Sequence, residues 1–531
     1  MRAITLSLSM WLGACRGGVP EPPVDTYEAR SDFLLDPSLN IELVTDTVRF
    51  LEHGRDDVNG GYHVYLADDG TPVMPQDAWW GSEQCGETFD YHLRPVFSQS
   101  RVAYAFAKAF MLTGDVAYLD EAEHALAFLY AHGKDEEDGG WWFTTDEQGG
   151  VAPWMPCEEW DPNEWKWSFS QFYPLLGVRA VTEATLGASE GGRATGHWQE
   201  LEDGLALLDA FLWDDREPYL GYYDEADLDW ENPRGKGFTG PADGITTHAA
   251  SVYLQTGEEA HRQRVLDLAD GLVDHLAPSI ALGETAFGFA EVFDANWQLD
   301  RTNTGGFVGH MMKASWCLAR AYQLEPDPAY REAGKIIFDE VWGNGGYDHA
   351  NGGIFTEFDW RSGRVESRKN HWNLEQGFTG GITSYHVAEE PSDRAHMLQM
   401  ADESLDFFMT RLRDPADGVA WSDTDAGGVP TDRRKGHIWK AGYHDVELGY
   451  LAYVYGSLYF AGEPITLHYL AMDDGTDRSM VLNPVEDAGL VITAVALDGA
   501  TYEGFEPATR RLSVPAGVSG VFAVTFELPA G

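Results

Sequence analysis

Apolar residues recur three and four positions apart along most of the chain, which is the spacing by which an amphipathic helix buries one face. The runs SRVAYAFAKAFMLTG from Ser100 and AYLDEAEHALAFLYAHG from Ala117 form one pair of such segments. Later pairs begin at Ile245 and Arg262, and at Gly309 and Ala329. From this pattern we predict about twelve helices, arranged as consecutive helical hairpins.

A short alternating stretch around a Gly/Asp turn separates the helix pairs, and this pattern is typical of a β-hairpin. Six copies occur, with a glycine at residues 61, 140, 221, 288, 353 and 418. Two helices and a hairpin every 65 to 81 residues predict an all-α (α/α)6 barrel over 37–461, with short β-hairpins on one rim. An open helical solenoid is the alternative, but six repeats with candidate functional residues at helix starts favour a closed ring.

The helical spacing stops after residue 461, and residues 462–531 consist of short alternating runs between Gly and Pro turns. Examples are ITLHYLAMDDG from Ile465 and GVFAVTFELPA from Gly520. We predict a small all-β module in this region. It can be a structural cap or a carbohydrate-binding module.

The N-terminus resembles an export signal. Arg2 precedes the apolar stretch ITLSLSMWLGA, which is too short for a permanent membrane span, and LGAC ending at Cys15 is similar to a bacterial lipobox. We expect a lipoprotein signal peptide over 1–15 with lipidation of Cys15, followed by a Pro/Gly-rich tether over 16–36. A plain signal peptide is the alternative. The protein would be exported to the periplasm or cell surface and attached to the membrane only through its lipid.

The charge balance restricts the partners. The chain has 36 Lys and Arg against 87 Asp and Glu, a net charge of −51, which repels nucleic acids and anionic lipid headgroups. Cys85 and Cys157 lie in loop-like contexts and can pair in an oxidising compartment. The cysteines form no zinc pattern and no GxGxxG follows a strand, so we expect neither a metal nor a nicotinamide cofactor. The oligomeric state stays open.

Basic and imidazole side chains stand near the starts of the predicted inner helices, at Arg101, His248, His310 and His444. In a closed barrel these helix starts converge on one pocket. A single histidine at a helix end is more often a cap or a core residue, but recurrence at matching repeat positions indicates a shared site. Aromatic residues lie nearby, and aromatic faces beside polar donors are typical of sugar pockets, although such rings can also simply fill a core.

The segments around these residues are similar to motifs of one enzyme family. GHMMKASW, which contains His310, resembles its Gly-His motif, and HIWKAGYH, which ends at His444, resembles its Trp-Lys-x-x-Tyr-His motif. Three further segments resemble family motifs, namely SRVAYAF with Arg101, THAASVYLQTG with His248 and RKNHWNLEQGF with Trp372. From about residue 59 to residue 460 the chain resembles the N-acylglucosamine 2-epimerase family, which includes cellobiose 2-epimerases and aldose–ketose isomerases such as mannose isomerase.

The resemblance implies a sugar 2-epimerase or aldose–ketose isomerase that acts on a free reducing mono- or disaccharide without a cofactor. His310 and His444 would move the C2 proton through an enediolate, assisted by His248 and Arg101. The residues expected to contact the sugar are Trp316, Trp372, Glu375, Gln376, Trp439, Lys440 and Tyr443.

Two positions differ from the family pattern. The family usually has Glu three residues after the Gly-His histidine and Arg three residues after the last histidine, whereas this chain has Lys313 and Glu447. If these positions face each other, we expect an ion pair of reversed polarity. Two other functions stay open: a glycoside hydrolase or polysaccharide lyase that uses carboxylates such as Asp243, Glu375 and Asp445, and a non-catalytic sugar-binding lipoprotein.

Overall fold

The computed structural model describes residues 26–73, 85, 89–155, 157, 161–188, 196–473 and 475–529. The predicted signal peptide, its lipidation site Cys15 and the first part of the predicted tether therefore lie outside the described residues. None of the helices within these ranges is both long and apolar enough to cross a lipid bilayer.

Helices dominate the described residues up to residue 461. The α-helices in chain order are α1 (Asp32–Leu35), α2 (Ile41–Glu52), α3 (Val96–Thr113), α4 (Ala117–His132), α5 (Ser168–Ala184), α6 (His197–Phe211), α7 (Ala250–Thr256), α8 (Glu259–Gly271), α9 (Ala277–Ala281), α10 (Val308–Leu324), α11 (Pro328–Gly343), α12 (His371–Val387), α13 (Pro391–Phe407) and α14 (Tyr443–Tyr455). The π-helical segments are Thr239–Asp243, Ile245–Ala249, Leu272–Leu276, Phe408–Leu412 and Gly456–Ala461, and 3-10 turns cover Pro37–Asn40 and Pro162–Glu164.

The inner helices form a closed ring. Helix α3 contacts α5, α5 contacts the π-helical segments before α7, and these contact α10; α10 then contacts α12, α12 contacts α14, and α14 returns to α3. The contact between α14 and α3 excludes the open solenoid and confirms the predicted helical barrel. Helices α2, α4, α6, α8, α11 and α13 pack outside the ring.

Burial explains which helices lie inside. Every residue of α3 from Val96 to Leu112 is buried. A helix without a polar face can be buried on all sides, so α3 lies inside the ring. Its outer partner α4 exposes polar residues such as Asp120 and buries Leu119, Leu126 and Leu129 on one side. Gly114, with φ of 74°, ends α3 in the left-handed conformation that glycine adopts without strain.

Short antiparallel strands lie between the helices. They are β1 (Arg94–Pro95), β2 (Thr144–Thr145), β3 (Trp165–Trp167), β4 (Trp213–Asp214), β5 (Gly221–Tyr222), β6 (Glu225–Asp227), β7 (Lys236–Gly237), β8 (Val292–Phe293), β9 (Gly305–Phe307), β10 (Glu357–Asp359), β11 (Arg364–Val365), β12 (Lys369–Asn370), β13 (Asp423–Thr424) and β14 (Pro430–Asp432). They pair as β1-β2, β3-β6, β4-β5, β7-β8, β11-β10-β9 and β12-β13-β14. Strands β1, β3, β9 and β12 run directly into α3, α5, α10 and α12, so the strands line the rim at the N-termini of the inner helices.

An Asp–cation pair recurs at this rim in most repeats, and every member is buried except the partly exposed Asp414. In each pair an Asp in the connection after an outer helix meets a Lys or Arg just before the next inner helix. The pairs are Asp56–Arg94, Asp135–Lys166, Asp214–Lys236, Asp348–Lys369 and Asp414–Lys435. Each pair therefore ties the connection after an outer helix to the start of an inner helix, which fixes where that inner helix begins.

The described residues at the chain ends pack against the barrel. Residues 27–36, which the sequence assigned to the tether, are docked: the Tyr27 hydroxyl and the Arg30 and Ser31 amides donate to Asp402 of α13, and α1 follows.

Cys85 and Cys157 are joined by a disulfide.

After residue 461 the described residues contain strands joined by loops and no helix. These strands are β15 (Ile465–Ala471), β16 (Arg478–Val481), β17 (Val491–Leu497), β18 (Ala500–Thr501), β19 (Phe505–Glu506), β20 (Arg511–Val514) and β21 (Gly520–Glu527), in two sheets of order β15-β21-β17-β18 and β16-β20-β19. They contact the C-terminal ends of the inner helices. His468 Nδ1 lies 3.2 Å from the Met111 carbonyl oxygen, Asn483 donates to the Leu254 carbonyl, and Glu486 pairs with Arg320.

Candidate active site

His310 lies in the first turn of α10, at the strand-lined rim. Its Nδ1 is 2.9 Å from Glu291 Oε2, and its ring stacks on Phe238 with centroids 4.0 Å apart. The other carboxylate oxygen of Glu291 accepts a hydrogen bond from the Phe307 amide. Glu291 therefore binds both the Phe307 amide just before α10 and the His310 ring, and so it fixes the orientation of the imidazole. The other ring nitrogen, Nε2, is left for other partners.

His444 lies in the first turn of α14 and has a similar partner. Its Nδ1 is 3.2 Å from Glu375 Oε2 of α12, and the residue is 9% exposed. Burial, followed by the positive charges of Arg101 and Lys313, lowers the pKa of His444 well below its ordinary value. The ring is therefore neutral near pH 7, which is the form that can accept a proton.

Trp372 lies close to both histidines. Its ring centroid is 5.2 Å from that of His310 and 6.0 Å from that of His444. The backbone of Gly309 makes room for the indole, since a Cβ there would lie 2.5 Å from a Trp372 ring carbon. The structure thus brings three of the sequence-predicted residues together, and it explains physically why a glycine precedes His310.

Arg101 of α3 lies under the same cluster. Its guanidinium is 4.5 Å from the Tyr173 ring centroid and 5.5 Å from that of Tyr443, and Nη1 donates to the Trp439 carbonyl. Its Nε is buried without a hydrogen-bond partner among the described residues. The side chain therefore keeps unused hydrogen-bonding capacity beside His444.

Lys440 has an internal partner. It is 1% exposed and pairs with Asp445, whose other oxygen lies 3.0 Å from His371 Nδ1. Burial lowers the pKa of His371 to about 4, with Lys440 acting in the same direction. The Lys440–Asp445–His371 chain connects α14 to α12 next to Trp372, so Lys440 supports the site from within the protein.

The aromatic residues Trp439 and Tyr443 lie around Arg101. The Trp439 ring stacks on Phe97 at 5.3 Å and remains partly exposed, whereas Tyr443 is 1% exposed. Gln376 donates its amide to Glu375, beside His444. Tyr443 and Gln376 therefore lie next to His444, whereas Trp439 adjoins Arg101; their expected contact with a sugar stays a prediction.

Two predicted residues lie elsewhere. His248 is 1% exposed, contacts Phe172 and Tyr222, and has its Nδ1 3.0 Å from Thr247 Oγ1. Burial and then Arg264 of α8 lower its pKa to about 3. The expected place of His248 in the cluster is therefore wrong: in its π-helical segment the ring faces the outer layer.

Trp316 is the second residue that lies apart. It is nearly two turns further along α10 than His310 and lines a small cavity of about 50 Å³ near the C-terminal ends of the inner helices. Its indole NH donates to the Tyr455 hydroxyl. The expectation that Trp316 joins the histidine cluster is also wrong.

The expected ion pair between Lys313 and Glu447 is absent from the described residues. Lys313 pairs instead with Asp243, next to the Tyr173 hydroxyl. Glu447 accepts a hydrogen bond of 3.3 Å from Tyr104 and lies close to Glu375 and His444. The positive charge of Lys313 is thus paired with Asp243 instead of Glu447, because the Lys313 side chain lies against α5 and the π-helical segment Thr239–Asp243.

The carboxylates considered for hydrolysis all have partners. Asp243 pairs with Lys313, Asp445 with Lys440 and Glu375 with His444. The arrangement therefore suits proton transfer by imidazoles better than hydrolysis by two free carboxylates. One group of described residues could hold a metal ion, because ligand atoms of Glu375, His444 and Glu447 lie within 4.8 Å of one another. No motif in the sequence indicates this group.

Sequence comparison identifies relatives of this barrel. The model of the N-acylglucosamine 2-epimerase (GlcNAc 2-epimerase) family matches residues 80–446. Cellobiose 2-epimerase of Eubacterium cellulosolvens is 22% identical over 419 residues, 76% of this chain and 94% of that protein. D-mannose isomerase of Marinomonas mediterranea is 18% identical over 403 residues, 73% of this chain and 89% of that protein. The structure of cellobiose 2-epimerase from Spirochaeta thermophila superposes with a TM-score of 0.63 at 18% identity, covering 80% of this chain and 97% of that chain.

The structural likeness at this identity establishes the fold, a helical barrel of the (α/α)6 type. The fold and the family match together define the class of protein as a carbohydrate epimerase or isomerase. Because the family model spans well over half of the sequence, the chain belongs to the N-acylglucosamine 2-epimerase family. The family and the enzyme class expected from the motifs are thereby confirmed.

Proposed function

We propose that this enzyme is a sugar 2-epimerase or aldose–ketose isomerase acting on a free reducing mono- or disaccharide. One observation carries the proposal: His310 and His444, each paired through Nδ1 with a glutamate, both lie next to the Trp372 ring. The names of the relatives, cellobiose 2-epimerase and D-mannose isomerase, agree with this substrate class.

The proposed chemistry begins with the C2–H bond of the open-chain aldose, which is acidic because it is adjacent to the carbonyl group. A neutral imidazole takes this proton on Nε2 while its Nδ1–H stays hydrogen-bonded to glutamate. The electron pair forms an enediolate, whose negative charge is stabilised by Arg101. Trp372 offers the aromatic face on which the sugar stacks.

The second histidine decides the product. If it returns a proton to the opposite face of C2, the sugar is epimerised. If the proton returns to C1, the aldose becomes a ketose. Both outcomes use the same pair of imidazoles. The arrangement therefore supports proton transfer at C2 as the reaction class, and it does not favour the epimer over the ketose as the product.

The test is NMR of purified protein with a panel of free aldoses and disaccharides in D₂O. We expect deuterium at C2, together with an epimer or a ketose, for at least one sugar. His310→Asn and His444→Asn should each lower the rate by about 10² to 10⁴-fold, because each removes a general acid–base group. The exposed His53 provides a matched control, His53→Asn, which should keep the wild-type rate.

Two results would contradict the proposal. Cleavage of glycosides without exchange at C2 would identify a hydrolase. Saturable sugar binding, with no deuterium incorporated at C2 for any sugar of the panel, would identify a binding protein.

A further inference from the structure

Two buried carboxyl groups lie side by side behind His444. Glu375 on α12 and Glu447 on α14 are 0% and 2% exposed. One oxygen of each carboxyl group lies within 4.8 Å of the other group. Among the described residues Glu375 Oε1 is buried without a hydrogen-bond partner, and the donor next to Glu447 is the Tyr443 hydroxyl, which acts to lower the pKa of that carboxyl group. The single proton of one hydroxyl cannot serve both carboxyl groups, and a buried acceptor without a partner is costly, so a further proton is needed here.

The surrounding cations cannot neutralise this pair. Lys313, Arg179 and Arg320 are the positive groups that act on Glu447. Each already has an acidic partner, because Lys313 pairs with Asp243, Arg179 lies 4.0 Å from Glu183, and Arg320 pairs with Glu486. Two adjacent carboxylates without a free countercharge cannot both stay ionised in a buried site. Consistently, burial and then the Glu447 charge raise the pKa of Glu375, and burial raises that of Glu447.

We propose that Glu375 and Glu447 share one proton and together position His444. The proton lies between Glu375 Oε1 and Glu447 Oε2, and Glu375 Oε2 accepts the hydrogen bond from His444 Nδ1–H. Glu447 is thus a positioning residue that acts through Glu375. The role rests on the proposed function, in which the imidazole of His444 transfers the C2 proton.

The shared proton has a chemical consequence for His444. A fully ionised Glu375 would favour the imidazolium form, which cannot accept a proton. Sharing the proton reduces the negative charge that faces Nδ1, so His444 stays neutral and keeps its proton on Nδ1. Nε2 is then the free base.

A divalent cation at the same three residues is the alternative, and the contacts favour the proton. Gln376 already donates its amide N–H to Glu375 Oε2, the oxygen that also faces His444. A metal ion bound there would meet this N–H donor and the Lys313 ammonium. The metal is therefore an outcome for the experiment to exclude.

The experiment compares wild type with Glu447→Gln, Glu447→Asp and the control Glu183→Gln, a glutamate paired with Lys108 that does not contact His444. Infrared spectroscopy should detect a protonated carboxyl C=O stretch in wild type that shifts in D₂O. This band should be lost in Glu447→Gln and kept in Glu447→Asp and Glu183→Gln. Thermal melting checks that each variant is folded.

The pH profile of kcat provides a second readout. The groups that face Glu447 are Tyr104, Arg179, Lys313, Arg320, Glu375, Tyr443 and His444. The groups that act on His444 besides Glu375 are Arg101, His371, Lys313 and Lys440. In Glu447→Gln, Glu375 becomes ionised and raises the pKa of His444, so the acid limb of kcat should move to higher pH and kcat should fall about tenfold with little change in KM. Glu447→Asp should restore most of the activity. A purely structural role would not move the acid limb.

Three results would overturn the proposal: no protonated carboxyl band in wild type, an unchanged acid limb in folded Glu447→Gln, or a stoichiometric metal whose removal by a chelator abolishes both band and activity. If wild type exchanges no proton with any sugar, the proposed function fails, while the infrared band still decides whether the carboxyl pair shares a proton.

Discussion

At the scale of single residues, the motifs located the two principal histidines but not what orients them. Glu291 lies in the run FGFAEVF, and its only signal in the sequence is a single carboxylate among apolar residues. Its contact with His310 depends on β8 lying next to the start of α10, and that is a tertiary arrangement. The motif for His248 predicted a histidine in the site, which is wrong because the direction of its ring depends on a π-helical segment that the sequence pattern does not reveal.

A substitution of Glu291 tests this orientation. Glu291→Ala leaves Nδ1 of His310 and the Phe307 amide without their partner, so we expect kcat to fall at least about tenfold with little change in KM. Glu291→Gln should keep part of the activity because its amide oxygen can still accept the Nδ1–H. Steady-state rates of C2 exchange are the measurement, with the exposed Glu284→Gln as control. An unchanged kcat in Glu291→Ala would show that His310 needs no orienting partner.

At the scale of elements, the recurring Asp–cation pairs set the start of the inner helices. Asp135 and Lys166 have side chains that are 2% and 1% exposed, and Lys166 also donates to the Gly139 carbonyl. The predicted hairpin repeat marked where these connections lie, because glycine and aspartate recur there. The pairing itself was not predictable, since the cation follows its aspartate by between 21 and 38 residues in different repeats.

Removal of one partner should be more harmful than removal of both. Lys166→Met leaves a buried carboxylate unpaired, for which we expect a loss of about 3–5 kcal/mol in the free energy of unfolding. The double variant Lys166→Met with Asp135→Asn should recover a substantial part of that loss. Urea denaturation of the four proteins in this cycle measures the coupling. For the exposed pair Lys335–Asp339, Lys335→Met should cost less than about 1 kcal/mol. Equal costs at both sites would contradict a structural role for the buried pair.

At the scale of the whole molecule, the C-terminal strands and the barrel share buried contacts. Glu486 and Arg320 have side chains that are 1% and 9% exposed, and they join the loop before β17 to the end of α10. The two regions should therefore unfold together, although the sequence separates them by a sharp change of periodicity.

The Arg320–Glu486 pair tests this connection. Glu486→Gln leaves the Arg320 guanidinium buried without a countercharge, so we expect a loss of about 3 kcal/mol or more for the barrel as well as for the strands. Calorimetry should show one transition in wild type and a lower melting temperature in the variant. The exposed Glu503→Gln provides a control on the same strands. Two separate transitions in wild type, with only one of them moved by Glu486→Gln, would contradict a shared folding unit.

The sequence by itself determined the helical repeats, the ring they form, and the family motifs around His310, Trp372 and His444. It could do so because these features follow from local periodicity and short spacings. The tertiary structure decided which charges meet: Lys313 with Asp243, Lys440 with Asp445, and Glu375 with both His444 and Glu447. Pairing of buried charges depends on the distances between helices far apart in the chain, and no local pattern of residues carries those distances.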